Sequence, residues 1–281
     1  MNTILHNDFL TVTISSLGAE LQSIVDSNGV ERIWQRDPAY WTGSAPILFP
    51  IAGGLREDRY LLNGVSYPMP KHGFVRKLEW RREQASDTSV TFLTSEKHEG
   101  FPFTYELRAR FTLEENALKV EYTVDNRDNR AFCYGIGSHE AYATPEGIED
   151  YELVFDQPET FDDYVLQGNL LAKEPITLLQ NSRVFPLKYS DYAVDALVFR
   201  TLKSRSVTLR SHSHSRTIRV DYPDHDVLML WTKPNAGYLC IEPWRNAPDF
   251  VDSDMEIEHK QGCVLLQGGE SRTHTHTITV G

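Results

Sequence analysis

Between residues 118 and 124 the chain reads Leu-Lys-Val-Glu-Tyr-Thr-Val, with apolar and polar side chains in strict alternation. That period of two suits a strand with one wet face, because successive side chains of a strand point to opposite faces. Residues 105–111 carry the same pattern just upstream, and Glu114-Glu115-Asn116 supplies a turn between the two runs. Strands are also expected at 10–14, 20–25, 90–93, 206–209, 217–220, 227–231, 238–241, 263–266 and 273–280. Asn28-Gly29, Asn63-Gly64 and Pro234-Asn235-Ala236-Gly237 provide turn residues between strands. No long segment shows a helical stripe, and short helices are expected only at 38–41 and 175–179. Many short strands without strand–helix alternation predict an all-β sandwich or barrel. No linker divides the chain, so residues 1–281 are read as a single domain. Segments 143–190 and 245–260 are read as irregular excursions from one sheet system.

Composition narrows the functional classes. Forty acidic against 28 basic side chains give a net charge of -12, the opposite of a nucleic-acid binder's basic footprint. Nothing supports docking on anionic lipid, no apolar run reaches membrane-spanning length, and the N-terminal residues lack the pattern of a secretory signal. Three widely spaced cysteines, Cys133, Cys240 and Cys263, make no disulfide framework and no structural zinc motif. They are read as buried thiols in the reducing cytoplasm.

Four segments carry chemistry. Cys240-Ile241-Glu242-Pro243-Trp244 sets one carboxylate in a strand-forming run, where an unpaired carboxylate is costly away from water. An active site has a use for it as a base. Pro70-Lys71-His72-Gly73-Phe74-Val75-Arg76 and Gly135-Ile136-Gly137-Ser138-His139-Glu140-Ala141-Tyr142 each offer an imidazole, which exchanges protons near neutrality. The segment 191–199 offers Asp195. Gly135-Ile136-Gly137 lacks the glycine spacing and the strand–helix context of a nucleotide loop.

Together with Leu48-Phe49-Pro50, and in this order, these segments resemble the aldose 1-epimerase family, the galactose mutarotase-like proteins, and in particular its shorter bacterial branch. The resemblance runs from about Gly18 to the C-terminus. It implies one large antiparallel β-sandwich with a sugar cleft across a sheet. It also implies interconversion of the α and β anomers of a free aldose with no metal or organic cofactor. In that reading Glu242 takes the O1 proton, His139 protonates the ring oxygen and His72 stabilises charge there. Asp195 binds sugar hydroxyls, Arg76 is a further contact or an ion-pair partner, and Phe74, Tyr142 and Trp244 form apolar walls or else simply pack in the core. The partner is a monosaccharide or related small sugar, and the protein is a monomer or homodimer.

The sequence departs from the branch at one anchor. Gly54 stands where an arginine is common, and Arg56 lies two residues on. Ser138 and Glu140 also replace the glycine and proline common beside the histidine. The Gly54 departure keeps open a protein that binds a sugar or sugar phosphate without turnover. A third reading comes from His212-Ser213-His214 and His274-Thr275-His276, whose paired imidazoles suit a transition metal if their strands meet. Otherwise these histidines belong to a polar outer face.

Overall fold

The computed structural model describes residues 1–281, and strands dominate it. The alternating run lies within strand Ala117–Asn126, which buries every even position. This strand pairs antiparallel with Tyr105–Glu114, and Glu115 and Asn116 close the hairpin. Each Val or Leu buried on such a face contributes roughly 1.5–3 kcal/mol.

Fourteen strands join one antiparallel sheet. Its path runs from Ile136–Gly137 through Tyr238–Arg245, Val227–Trp231, Leu197–Phe199, Tyr151–Asp163, Ser206–Ser211 and Thr217–Asp221. It continues through Ser271–Val280, Ala117–Asn126, Tyr105–Glu114 and Ser89–Thr94 to Arg81–Ala85. A twisted sheet this wide must curl or split into packed layers. Leu153, Leu209 and Ile241 from one arm join Leu107, Val120 and Phe92 from the other in a single apolar cluster. The sheet therefore folds over a shared core as a β-sandwich. A separate three-stranded sheet, Asn2–His6, Leu10–Ser15 and Leu21–Asp26, adds Leu5, Val12 and Ile24 to the same core. The only helical elements are five short 3-10 turns, and no helix is long and apolar enough to cross a membrane.

Local expectations failed in three places. Residues 38–41 form a turn, and residues 176–179 begin strand Ile176–Pro186. The segment 143–190 is not irregular, because Ile176–Pro186 pairs with the thirteen-residue strand Tyr151–Asp163. Its register slips three times and its outer strand is largely exposed, so the period-two signal is weak there. Of the cysteines only Cys240 is fully buried; Cys133 and Cys263 are half-buried, and all three are free.

Candidate active site

Glu242 and His139 meet because of strand register. Strand Tyr238–Arg245 is paired on one flank by Gly137 opposite Trp244 and by Ala141 opposite Cys240. The same register carried between those pairs sets His139 across from Glu242, a spacing at which cross-strand side chains touch. Pro243 has no N–H to give to the ladder, yet its carbonyl accepts from Ser138 N–H. On the other flank Met229 pairs with Glu242, and Trp231 with Cys240. The result is a row of three, His139, Glu242 and Met229, on one face of the sheet.

His139 Nε2 lies 3.4 Å from Glu242 Oε2. That oxygen is buried without a hydrogen-bond partner, as is His139 Nδ1. The His139 ring packs between Trp41, 5.0 Å away between centroids, and Trp231, 5.8 Å away. Gly137 makes room for Trp244, since a Cβ there would lie 2.4 Å from the indole. The indole N–H donates to the Ser138 carbonyl at 2.9 Å.

His72 enters from a separate loop. It has φ 68° and Gly73 φ 67°, an uncommon backbone region for a histidine. Its N–H donates to the Gly53 carbonyl, and its Nδ1 accepts from Gly53 N–H at 3.1 Å. Acceptance at Nδ1 leaves the proton of the neutral ring on Nε2. A side chain at Gly73 would collide with the Phe49 carbonyl, which explains the glycine. The His72 ring stands edge-on to His139 at 5.6 Å and to Trp244 at 5.4 Å.

These groups surround a cavity of about 340 Å³, also lined by Lys71, Arg76, Asn169, Asp195, Trp41 and Trp231. Lys71 Nζ is 4.0 Å from Asp195. Arg76 donates to the Lys71 carbonyl, and its Nε is buried without a partner. Burial dominates the electrostatics. It pushes Glu242 well above the usual carboxylate range, with Lys71 opposing and Glu140 and Asp195 reinforcing. Burial, with the charges of Lys71 and Arg76, lowers His139 to about 3, and burial with the facing His139 lowers His72 well below its ordinary value. Burial at this site thus favours uncharged forms.

Six of the nine sequence-derived residues line this cavity: Glu242, His139, His72, Asp195, Arg76 and Trp244. The other three lie elsewhere. Arg56 starts a 3-10 turn and donates to the Ser253 carbonyl. Phe74 stacks on His98 at 4.2 Å, edge-on to the core ring of Tyr105. Tyr142 is two residues from Glu140 on the inner face of its strand and is fully buried.

Sequence reasoning missed Trp41, Trp231, Met229, Lys71 and Asn169. Pairing 227–231 with 238–241 through the Pro234–Gly237 turn would have set Met229 and Trp231 beside Glu242 and Cys240. Trp41 and Asn169 sit in turns and carried no such signal.

The histidine-rich pairs do not converge. His214 sits beside Tyr151 and Glu146, whereas His274 contacts Tyr134 and His276 contacts Glu140. His274 and His276 are buried, not on an outer face. The only group of three metal-ligating side chains is His139, Cys240 and Glu242.

A wide antiparallel sandwich with an imidazole–carboxylate pair in a tryptophan-walled cleft defines the mutarotase-like class of β-proteins. The aldose 1-epimerase family model matches residues 1–279, and the chain belongs to that family. It is 34% identical to the plasmid-encoded protein LacX of Lactococcus lactis subsp. lactis, over 100% of this chain and 99% of that protein. A galactose mutarotase related enzyme from Lactobacillus acidophilus has a similar structure, with TM-score 0.94, 28% identity and coverage of 100% and 97%. A galactose mutarotase-like protein from Lactobacillus casei ATCC 334 superposes with TM-score 0.95, at 25% identity and 100% coverage of both chains.

Proposed function

We propose that residues 1–281 act as one aldose 1-epimerase-like domain that interconverts the α and β anomers of a free aldose. The observation that carries this reading is the unpartnered Glu242 carboxylate oxygen, 3.4 Å from His139 Nε2. The cavity, about 340 Å³, falls in the size range of small-ligand sites.

In this reading bound substrate draws the pair's one proton onto His139, and Glu242 then takes the proton from O1 as His139 gives one to the ring oxygen. The C1–ring-oxygen bond breaks, O1 becomes the carbonyl oxygen, and the aldehyde rotates about C1–C2. The two residues then exchange roles and the ring closes on the other carbonyl face. Protons and electrons balance within the sugar and the pair, because the intermediate is an ordinary aldehyde. His72 Nε2–H donates to the ring oxygen as charge builds there. Asp195, Lys71 and Arg76 hold hydroxyls, and the Trp41 face favours the imidazolium form of His139 when it carries the proton.

The test is polarimetric or exchange-NMR mutarotation of fresh α-glucose, α-galactose and their phosphates. Rates above the buffer control support the reading. Rates equal to buffer across the panel, with sugar binding retained, favour the alternative of a non-catalytic sugar or sugar-phosphate binder, which the glycine at Gly54 motivates.

A further inference from the structure

Cys240 is the one cysteine at the site, and the proposed reaction does not use it. It lies two residues before Glu242 on the same strand, so both side chains share a face. It is fully buried beside the His139–Glu242 pair. One ligand atom each from His139, Cys240 and Glu242 lies within 4.8 Å of the other two. The His139–Glu242 separation of 3.4 Å matches the nitrogen–oxygen spacing of about 3.3 Å that a tetrahedral zinc centre with its usual bond lengths demands. Glu242 Oε2 has no hydrogen-bond partner to give up. His139 and Glu242 also line the cavity, from which a water could complete the coordination.

We infer that His139, Cys240 and Glu242 form an inhibitory site for a thiophilic divalent cation such as Zn²⁺. Neutral His139, thiolate and carboxylate give two negative charges that neutralise the dication. A sulfur ligand selects Zn²⁺ over Mg²⁺ or Ca²⁺, which prefer oxygen. Binding breaks the Cys240 S–H bond, forms the metal–sulfur bond and displaces the one proton held by the His139–Glu242 pair, so two protons are released to solvent. It occupies the two groups assigned to move protons, so turnover stops until the cation leaves. The blocking consequence rests on the proposed function; the site itself does not.

The test uses Co²⁺ as a spectroscopic probe of the intact protein, followed by Zn²⁺ displacement. One equivalent of Co²⁺ should give intense visible bands of four-coordinate geometry and a near-ultraviolet sulfur-to-cobalt charge-transfer band, both erased by Zn²⁺. Cys240→Ala and Cys240→Ser should lose the charge-transfer band and bind Zn²⁺ about tenfold or more weaklier, a change of about 1.4 kcal/mol. In mutarotation assays their Zn²⁺ inhibition constants should rise by a similar factor. Absence of the charge-transfer band in the unaltered protein, or equal Zn²⁺ affinity in a folded Cys240 variant, overturns the site. The spectra need no turnover. A protein that binds Co²⁺ through sulfur but does not catalyse mutarotation keeps the site and loses the proposed function. The reverse pattern loses the site alone.

Discussion

His139 Nε2 and Glu242 Oε2 face each other at 3.4 Å across two antiparallel strands, without the alignment of a hydrogen bond. Both groups are buried, so each waits for a partner that the cavity can admit. Replacing the carboxylate with an amide removes the proposed base and keeps the shape. Glu242→Gln should lower kcat by about 10²–10⁴-fold, the usual contribution of a positioned acid or base. Stopped-flow polarimetry with an unfolding curve for the same variant checks this. A folded variant at full rate defeats the assignment.

The pair should also widen the pH range of activity. The proposed reaction needs one proton on the pair, whose two groups titrate as a unit. Burial opposes both departures from that state: it lowers His139 to about 3 and raises Glu242 above the usual carboxylate range. The second proton therefore binds only in acid, and the last one leaves later than from an exposed carboxylate. The kcat/KM profile, corrected for buffer catalysis, should have its acid limb well below pH 6.5. A limb between pH 6 and 7 would show a free-histidine titration instead.

The two members of this close pair were readable in the sequence, Glu242 as a carboxylate in a strand-forming run and His139 through the segment that resembles the family. The walls were less readable. Tyr142 looked available beside the motif, but period two turns it to the core with Glu140. Arg56 looked able to replace a missing arginine, but its 3-10 turn points it at Ser253. Trp41 and Asn169 reach the cavity only through tertiary packing, which no single-chain period encodes. The alternating hairpin at 105–126 was legible for the opposite reason: its register is set locally and one face is wet.

Gly54 has a structural explanation. A Cβ there would lie 2.6 Å from Asn169 Cβ and 2.7 Å from its carbonyl oxygen. Asn169 sits at the turn of the small hairpin Leu166–Gln167 and Leu170–Leu171. That hairpin is tied down by Leu171 N–H to the Asp249 carbonyl and Asp249 N–H to the Gly54 carbonyl. The space a side chain at 54 would take is thus filled by Asn169, which also lines the cavity. Asn169→Ala should raise KM for the preferred sugar several-fold with little change in kcat, the effect of losing roughly one hydrogen bond. Gly54→Ala should displace the hairpin and raise KM in the same direction. An unchanged KM in both variants would show that the hairpin leaves the sugar untouched.

Behind the pair, His276 Nε2 bonds to Glu140 Oε1 at 2.9 Å, and both side chains are almost wholly buried. Removing one member strands the other in the core. Glu140→Ala should cost about 3 kcal/mol of unfolding free energy. Glu140→Gln, which can still bond to the imidazole, should cost less. Urea unfolding at pH 7 measures both, and equal losses would show that packing rather than the polar contact matters.

His274 makes the fold sensitive to mild acid. It is buried against Tyr134, its Nε2 2.8 Å from the tyrosine oxygen. Burial, with the charges of Arg245 and Arg272, lowers its titration to about 4. Above about pH 6.5, the ordinary histidine value, the ring is neutral in both folded and unfolded chains. As pH falls from there, the unfolded chain binds a proton that the folded chain refuses until about pH 4. Stability is therefore full above pH 6.5, falls through the window between these values, and stops falling from this source below it. At about 1.4 kcal/mol per pH unit the loss by pH 5 is on the order of 2 kcal/mol. The buried His225 and His72, also lowered by burial, act in the same direction. Unfolding free energy measured between pH 7.5 and 5 should drop accordingly. His274→Gln should reduce the slope by about one proton while the slope from His225 and His72 persists. An identical slope in the variant would mean that His274 binds its proton equally in the folded and unfolded chains.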